Sequence, residues 1–210
     1  PVAEGFLHAL AGSVRHSIRC VAMEITVYLA NGQSHAFSQP DQNVARMVLA
    51  DLMPARLFGS SSIIFGSGAN CTLLKTTSVS RIDVLTDEPV SIAPTIRDSA
   101  RVIESNDEFS LRAKAAVKAL GDGVAPGQAY QGYLRFELTG GHSLLVELER
   151  GLAQQAQFFT NLHRLVEGPA MMFPHPKGGG IFLNVTNIVS VSASPGFAEY
   201  PRGTLLAEPR

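Results

Sequence analysis

Ile25-Thr26-Val27-Tyr28-Leu29-Ala30-Asn31-Gly32-Gln33-Ser34 and Leu134-Arg135-Phe136-Glu137-Leu138-Thr139-Gly140-Gly141-His142-Ser143 decide the fold of this 210-residue chain. Each stretch alternates apolar and polar residues, the pattern of a strand with one face on a core. Each then reaches a dipeptide, Asn31-Gly32 or Gly140-Gly141, that tolerates the positive φ of a two-residue hairpin turn. The two glycines lie 141 − 32 = 109 positions apart, and at that shift residues 23–83 fall on residues 132–192 without a gap. A repeat of this length governs the architecture. Between 24 and 83 only Leu29, Gly32, Ser34, Gly59, Leu74 and Thr77 are identical to their counterparts, so the repeat is one of hydrophobic pattern.

Working outward, a second strand follows each turn, near 33–38 and 142–148, and then a helix. In the second copy Leu152, Ala156, Phe159, Leu162 and Val166 recur at helical spacing, and Met47, Ala50, Met53 and Leu57 take four of the equivalent positions in the first. Pro40 and Asp41 suit the first turn of that helix. Pro54 should kink or end it, because proline removes a hydrogen bond and clashes with the preceding turn. Glu147 and Glu149 place negative charge near the start of the second helix. Each copy continues with an apolar strand (62–65 or 171–173), a Gly-rich connection, a further strand (71–77 or 181–185) and a closing strand (79–85 or 188–193).

Ala9-Leu10 with Val14 echoes Ala119-Leu120 with Val124, which gives each copy a leading helix, 4–11 and 107–120, the second capped by Ser105 or Asn106. The expected class is therefore α+β: two similar ββαββ-type units, an internal duplication, each an antiparallel sheet of about four strands with a helix packed on one face. The expected domains are 1–88, the first repeat with its N-terminal helix; 89–105, a linker with an edge strand at Val90-Ser91-Ile92; 106–197, the second repeat with its own leading helix; and 198–210, a C-terminal tail.

A hydrophobic share of 45 % suffices for a core, and the net charge is −1. Lys and Arg number eight against nine Asp and Glu through Ser105, then nine against nine. With no basic footprint, a nucleic-acid partner is not expected. No apolar run is long enough to span a membrane and no signal-peptide pattern opens the chain, so a cytoplasmic, non-membrane protein is expected. Cys20 and Cys71 are too few for a disulfide framework and read as small buried hydrophobes.

Chemistry has no motif. The six histidines form no HxH or HExxH pattern, and no metal or cofactor is expected; His35 and His142 read as surface imidazoles. Gly59-Ser60-Ser61-Ser62 is no strand-to-helix nucleophile elbow, and Asp107-Glu108 reads as helix N-terminal charge. The candidate ligand-binding residues are Gly66, Ser67, Gly68 and Asn70 in one Gly-rich connection, and His175, Lys177, Gly178 and Gly179 in the equivalent one. Backbone N–H groups of such loops can cradle an anion, with Lys177 adding charge. A strand rather than a helix follows each, however, and a hairpin needing positive φ accounts for the same glycines.

The expected function is a non-catalytic binding or assembly protein on a duplicated α+β scaffold, partnered by a second copy as a homodimer or by another protein. The first alternative is small-ligand sensing, of an anionic metabolite or nucleotide, at the seam between the repeats. The second is an enzyme with a dispersed active site, His175 and Lys177 working with acidic partners from the other copy.

Overall fold

The computed structural model describes residues 22–67, 69–90, 99–121, 129–151, 166, 168–196 and 205. The leading helix at 4–11, nearly all of the helix at 152–166, Ser91-Ile92 and all but one residue of the tail lie outside them. What is described is mixed α+β with antiparallel sheets and few helices, as expected from the alternation.

Strand β1 (Met23–Leu29) turns at Gly32 into β2 (Ser34–Gln39). Helix α1 (Gln42–Asp51) starts at Asp41, whose side chain accepts from the Asn43 and Val44 amides. Pro54 ends that helix and takes the first position of a second, α2 (Pro54–Gly59). The hairpin β3 (Ser62–Ser67) and β4 (Asn70–Lys75), a 3-10 turn (Thr76–Ser78) and β5 (Val79–Leu85) follow. Then come β6 (Ser99–Ile103) and α3 (Asn106–Gly121), with the Ser105 hydroxyl accepting from the Glu108 amide as its cap. The chain continues through β7 (Ala129–Leu138), β8 (Ser143–Gly151), β9 (Ala170–Pro174), β10 (Gly180–Asn184), a 3-10 turn (Val185–Asn187) and β11 (Ile188–Ser194).

The strands divide differently from the expected two sheets of about four. One sheet has the order β2-β1-β5-β10-β9 and another β11-β7-β8-β6, while β3 and β4 form a two-stranded ribbon. The hairpin β9–β10 thus leaves its own half and pairs with β5 of the other. Its two-sided burial explains the exchange. Met172 and Phe182 join the core under α1, whereas Met171, Phe173, Ile181 and Leu183 pack against Leu134, Phe136, Leu144 and Val146 of the second sheet. Of the expected edge strand at 90–92 only Val90 is described; among the described strands the one on the edge of the second sheet beside β8 is β6. Val102 and Ile103 are buried there, and Arg101 reaches Glu147.

The layers run α1 with the β3–β4 ribbon, first sheet, second sheet, α3. Phe109 and Ala113 of α3 cover Ile103, Tyr133 and Leu145. On α1 the buried face is Ala45 and Leu49, continued by Leu52, whereas Met47 and Met53 are exposed. Gln42 and Arg46, one turn apart, both bond Glu88 beyond the end of β5.

Around the two hairpin turns the hydrogen bonds recur at the 109 shift. Leu29 donates its amide to Gln33 O and Leu138 to His142 O; Gly32 donates to Leu29 O and Gly141 to Leu138 O; Ala30 donates to Ser78 O and Thr139 to Asn187 O. The two turns meet each other. A Cβ on Gly140 would stand 2.5 Å from Leu29 O and 2.9 Å from Gly32 N, so only glycine permits the approach.

Candidate functional site

Alternation on β1 sends Met23, Ile25, Val27 and Leu29 into the core, so Glu24, Thr26 and Tyr28 share the opposite face. On β5 the same period buries Ile82 and Val84 in the core and turns Arg81, Asp83 and Leu85 to the Tyr28 side. The second sheet covers this face over β10 and β9 but stands off from β1 and β5. A polar cleft of about 380 Å³ remains, walled by β1, β5, β6 and β8, with His175, Pro176 and Lys177 at one end. It draws on residues from both halves of the chain.

Within it Arg81 holds Asp83 through two bonds, Nε to Oδ1 at 2.6 Å and Nη2 to Oδ2 at 2.7 Å. Its Nη1 donates to the Ser143 carbonyl at 3.0 Å and ties the two sheets together. The guanidinium carbon lies 5.0 Å from the centre of the Tyr28 ring, and His142 meets that ring edge-on at 5.1 Å. Burial, reinforced by the charge of Asp83, raises the Tyr28 phenol above its ordinary range. At the rim Lys177 Nζ pairs with Glu104 at 2.9 Å, and both side chains are more than half exposed. That hydrogen bond holds the Glu104 carboxyl below its usual range.

Burial pushes the His175 imidazole below its ordinary value, against the pull of Asp83. Its Nδ1 accepts the Lys177 amide at 3.1 Å, so the proton of the neutral ring sits on Nε2. The loop spends its other donors internally too: His175 N–H goes to Gly179 O and Gly178 N–H to His175 O. The amides of His175, Lys177 and Gly178 are therefore unavailable for an anion cradle. Gly178 and Gly179 have φ of +96° and +92°, and a Cβ on Gly179 would fall 2.0 Å from Val84 O. These glycines let the loop lie on the end of β5.

Of the candidates from sequence, His175 and Lys177 line the cleft, and Gly178 and Gly179 set the loop that carries them. Gly66, Ser67 and Asn70 belong to the β3–β4 ladder and line no described part of it; Gly68 lies outside the described residues. Sequence reasoning missed Tyr28, Arg81, Asp83 and Glu104. A legible signal did exist: Arg81 and Asp83 are charges two apart on a strand whose Ile82 and Val84 point the other way, into the core.

A second concentration of charge lies under α3. The buried Glu147 carboxylate accepts from Tyr133 Oη at 2.8 Å, Arg101 Nε at 3.0 Å and Arg112 Nη1 at 3.2 Å. Burial pushes that carboxyl up, but the Tyr133 hydrogen bond and the two arginines outweigh it and hold it below the usual range. Burial and Glu147 push the Tyr133 phenol up to about 12. All its members are engaged with one another, and the group joins β6, α3, β7 and β8. Among the described residues no group of three His, Cys, Asp or Glu is placed to hold a metal ion, and no helix is long and apolar enough to cross a membrane.

Compared with protein-family models, with curated proteins and with solved structures, the chain matches none.

Proposed function

We propose that this chain is a non-catalytic binding protein on a duplicated scaffold, and that its ligand is a small polar molecule carrying an anionic group, held in the cleft between the two sheets. The cleft itself carries this reading: its size lies in the range of small-molecule sites, and both halves of the chain wall it. Arg81 is charge-paired with Asp83 and held by the Ser143 carbonyl, so it serves as a fixed wall. Lys177 is different. Its partner Glu104 is exposed, and exposed pairs contribute little, so a ligand carboxylate or phosphate can replace Glu104 at small cost. His175 Nε2–H and the Thr26 hydroxyl supply neutral hydrogen-bonding groups.

Two observations favour binding over catalysis. Among the described residues no lining serine or threonine hydroxyl is bonded to a histidine or carboxylate, the arrangement an activated nucleophile needs. Asp83, the carboxylate inside the cleft, is already committed to Arg81 through two hydrogen bonds. The duplicated ββαββ scaffold is supported by the hydrogen bonds that recur at the 109 shift and by the matching places of the two 3-10 turns.

Thermal denaturation across a panel of small carboxylates, phosphates and nucleotides tests the reading. A ligand at a hundred times its Kd raises stability by about 2.7 kcal/mol. Thr26→Trp, which fills the cleft, should abolish the shift, and Lys177→Ala should reduce it for anionic ligands only. A panel without a hit, or a hit unaffected by Thr26→Trp, overturns it.

A further inference from the structure

The β9–β10 hairpin is docked on both faces, whereas its counterpart β3–β4 is not. At the 109 shift Leu73 falls on Phe182 and Ile64 on Phe173, which are 1 % and 0 % exposed. Ile64 and Leu73 stand directly opposite each other on the ribbon and are 62 % and 58 % exposed. β10 reaches its buried state by pairing with β5, the closing strand of the other half. The equivalent closing strand is β11. Among the described residues β11 pairs with β7 alone and β4 with β3 alone. Val189 on β11 is 70 % exposed. Among the described residues the chain therefore carries one half of a reciprocal exchange and leaves both members of the other half open.

We propose that a second copy of this chain supplies the missing half: β4 of one copy pairs antiparallel with β11 of its partner, and the reverse, in a two-fold dimer. The inference rests on the duplicated scaffold and is independent of whether the cleft binds a ligand. The intrachain pairing sets the register. Gly180 faces Val84, Ile181 faces Asp83, Phe182 faces Ile82 and Leu183 faces Arg81. Shifted by 109, Cys71 of one chain faces Ala193 of the other, Thr72 faces Ser192, Leu73 faces Val191 and Leu74 faces Ser190. The docked hairpin covers Leu73, as Phe182 is covered within the chain, and with it Ile64, which stands opposite Leu73 on the same face. A two-fold interface of this kind is closed, so it removes the open edges that would otherwise invite unlimited strand addition.

Free Cys71 is exposed on β4 and makes the register testable. Residues opposite one another in an antiparallel pair have Cα atoms about 4.5–5.5 Å apart, within the reach of a disulfide. One chain carries Cys20→Ser and keeps Cys71; the other carries Cys20→Ser, Cys71→Ser and Ala193→Cys. Mixed and mildly oxidised, they should give a disulfide-linked heterodimer, while neither chain cross-links alone. In sedimentation the native chain should be dimeric, and Leu73→Glu or Val189→Glu, both at exposed sites that leave the monomer folded, should weaken self-association by about tenfold or more. A monomer at about 100 µM, well above what a stable interface needs, overturns the proposal. So does an intrachain disulfide in a monomer carrying both Cys71 and Ala193→Cys. A dimer that ignores both glutamates and gives no cross-link overturns the β4–β11 pairing, and leaves the ligand shifts of the cleft as a separate result.

Discussion

Three glycines share a positive φ and differ in what lies beside them, so Gly141 in the β7–β8 turn serves as a control for Gly178 and Gly179 in the loop that carries His175 and Lys177. Gly141, Gly178 and Gly179 have φ of +78°, +96° and +92°. An added Cβ meets nothing within 4 Å at Gly141, Thr86 O at 2.7 Å at Gly178 and Val84 O at 2.0 Å at Gly179. Gly141→Ala should therefore cost only the left-handed strain, roughly 1–2 kcal/mol. Gly178→Ala adds a moderate overlap with backbone that cannot rotate away, for about 2–4 kcal/mol in all. Gly179→Ala forces the loop off β5, and about 3–5 kcal/mol should be lost. Urea denaturation reads these differences, and in a chain of this size each kcal/mol lowers Tm by about 2–4 °C. Equal losses at the three positions would refute the reasoning, because close approach would then contribute nothing. A Gly179→Ala protein of native stability that had lost ligand binding would refute it differently, and would restore these glycines as ligand contacts.

Glu147→Ala leaves the Tyr133 hydroxyl only its longer bond to Gln131 Oε1 at 3.3 Å and takes the shared carboxylate from Arg101 and Arg112, and should destabilise by roughly 1–3 kcal/mol in urea titration, whereas Glu147→Gln, which keeps an acceptor, should cost less. Because the folded-state pKa of Tyr133 is raised to about 12, its contribution is complete below its ordinary value near 10 and is lost between about 10 and 12; Tyr133→Phe should flatten that alkaline limb. The His175 pKa is depressed, so the unfolded chain takes up its proton first on acidification; stability is full above about 6.5 and falls as pH drops through the lower folded value, a slope that His175→Gln should remove. Lys75→Asn with Ser78→Asn gives the first half the carboxamides of the second, and sedimentation should find self-association tightened by about tenfold, one pair of net hydrogen bonds.

The closing strand of the first half was legible to the residue: Val79–Leu85 carries three β-branched residues, Val79, Ile82 and Val84, and follows a run of Ser and Thr. The break at Pro54 was legible as well, since proline's chemistry is local. The buried face of α1 was not. Met47 and Met53 fit the repeat pattern, yet Ala45, Leu49 and Leu52, which share a helical spacing of their own, are the residues buried in the core. β6 escaped notice for a different reason. Five residues with one charge give little period, and what makes Ser99–Ile103 a strand is its pairing with β8, more than forty residues onward. The loop 175–179 was placed correctly as a feature of the chain, but the wall it faces is a pairing between β5 and β10 that local pattern cannot predict. Half of the cleft is thus readable as the polar face of a strand, and its closure is not.

The exchange of only one hairpin has a cause in two positions. Asn184 donates its carboxamide to Thr76 O and Val79 O, and Asn187 donates to Thr77 O and Val79 O, so both side chains of the second half grip the 3-10 turn of the first. At the 109 shift their counterparts are Lys75 and Ser78, which lack a carboxamide and cannot return the grip. Docking β9–β10 brings the loop 175–179 onto the end of β5 and places His175 and Lys177 at the cleft. Gly66 and Asn70, at the end of the undocked ribbon, have no such wall among the described residues. One asymmetry therefore has two consequences, a cleft where the hairpin is docked and an open apolar ribbon where it is not. On the proposed dimer the second consequence repeats the first: docking β4 on the partner's β11 would carry residues 66–70 toward a wall built by the other chain.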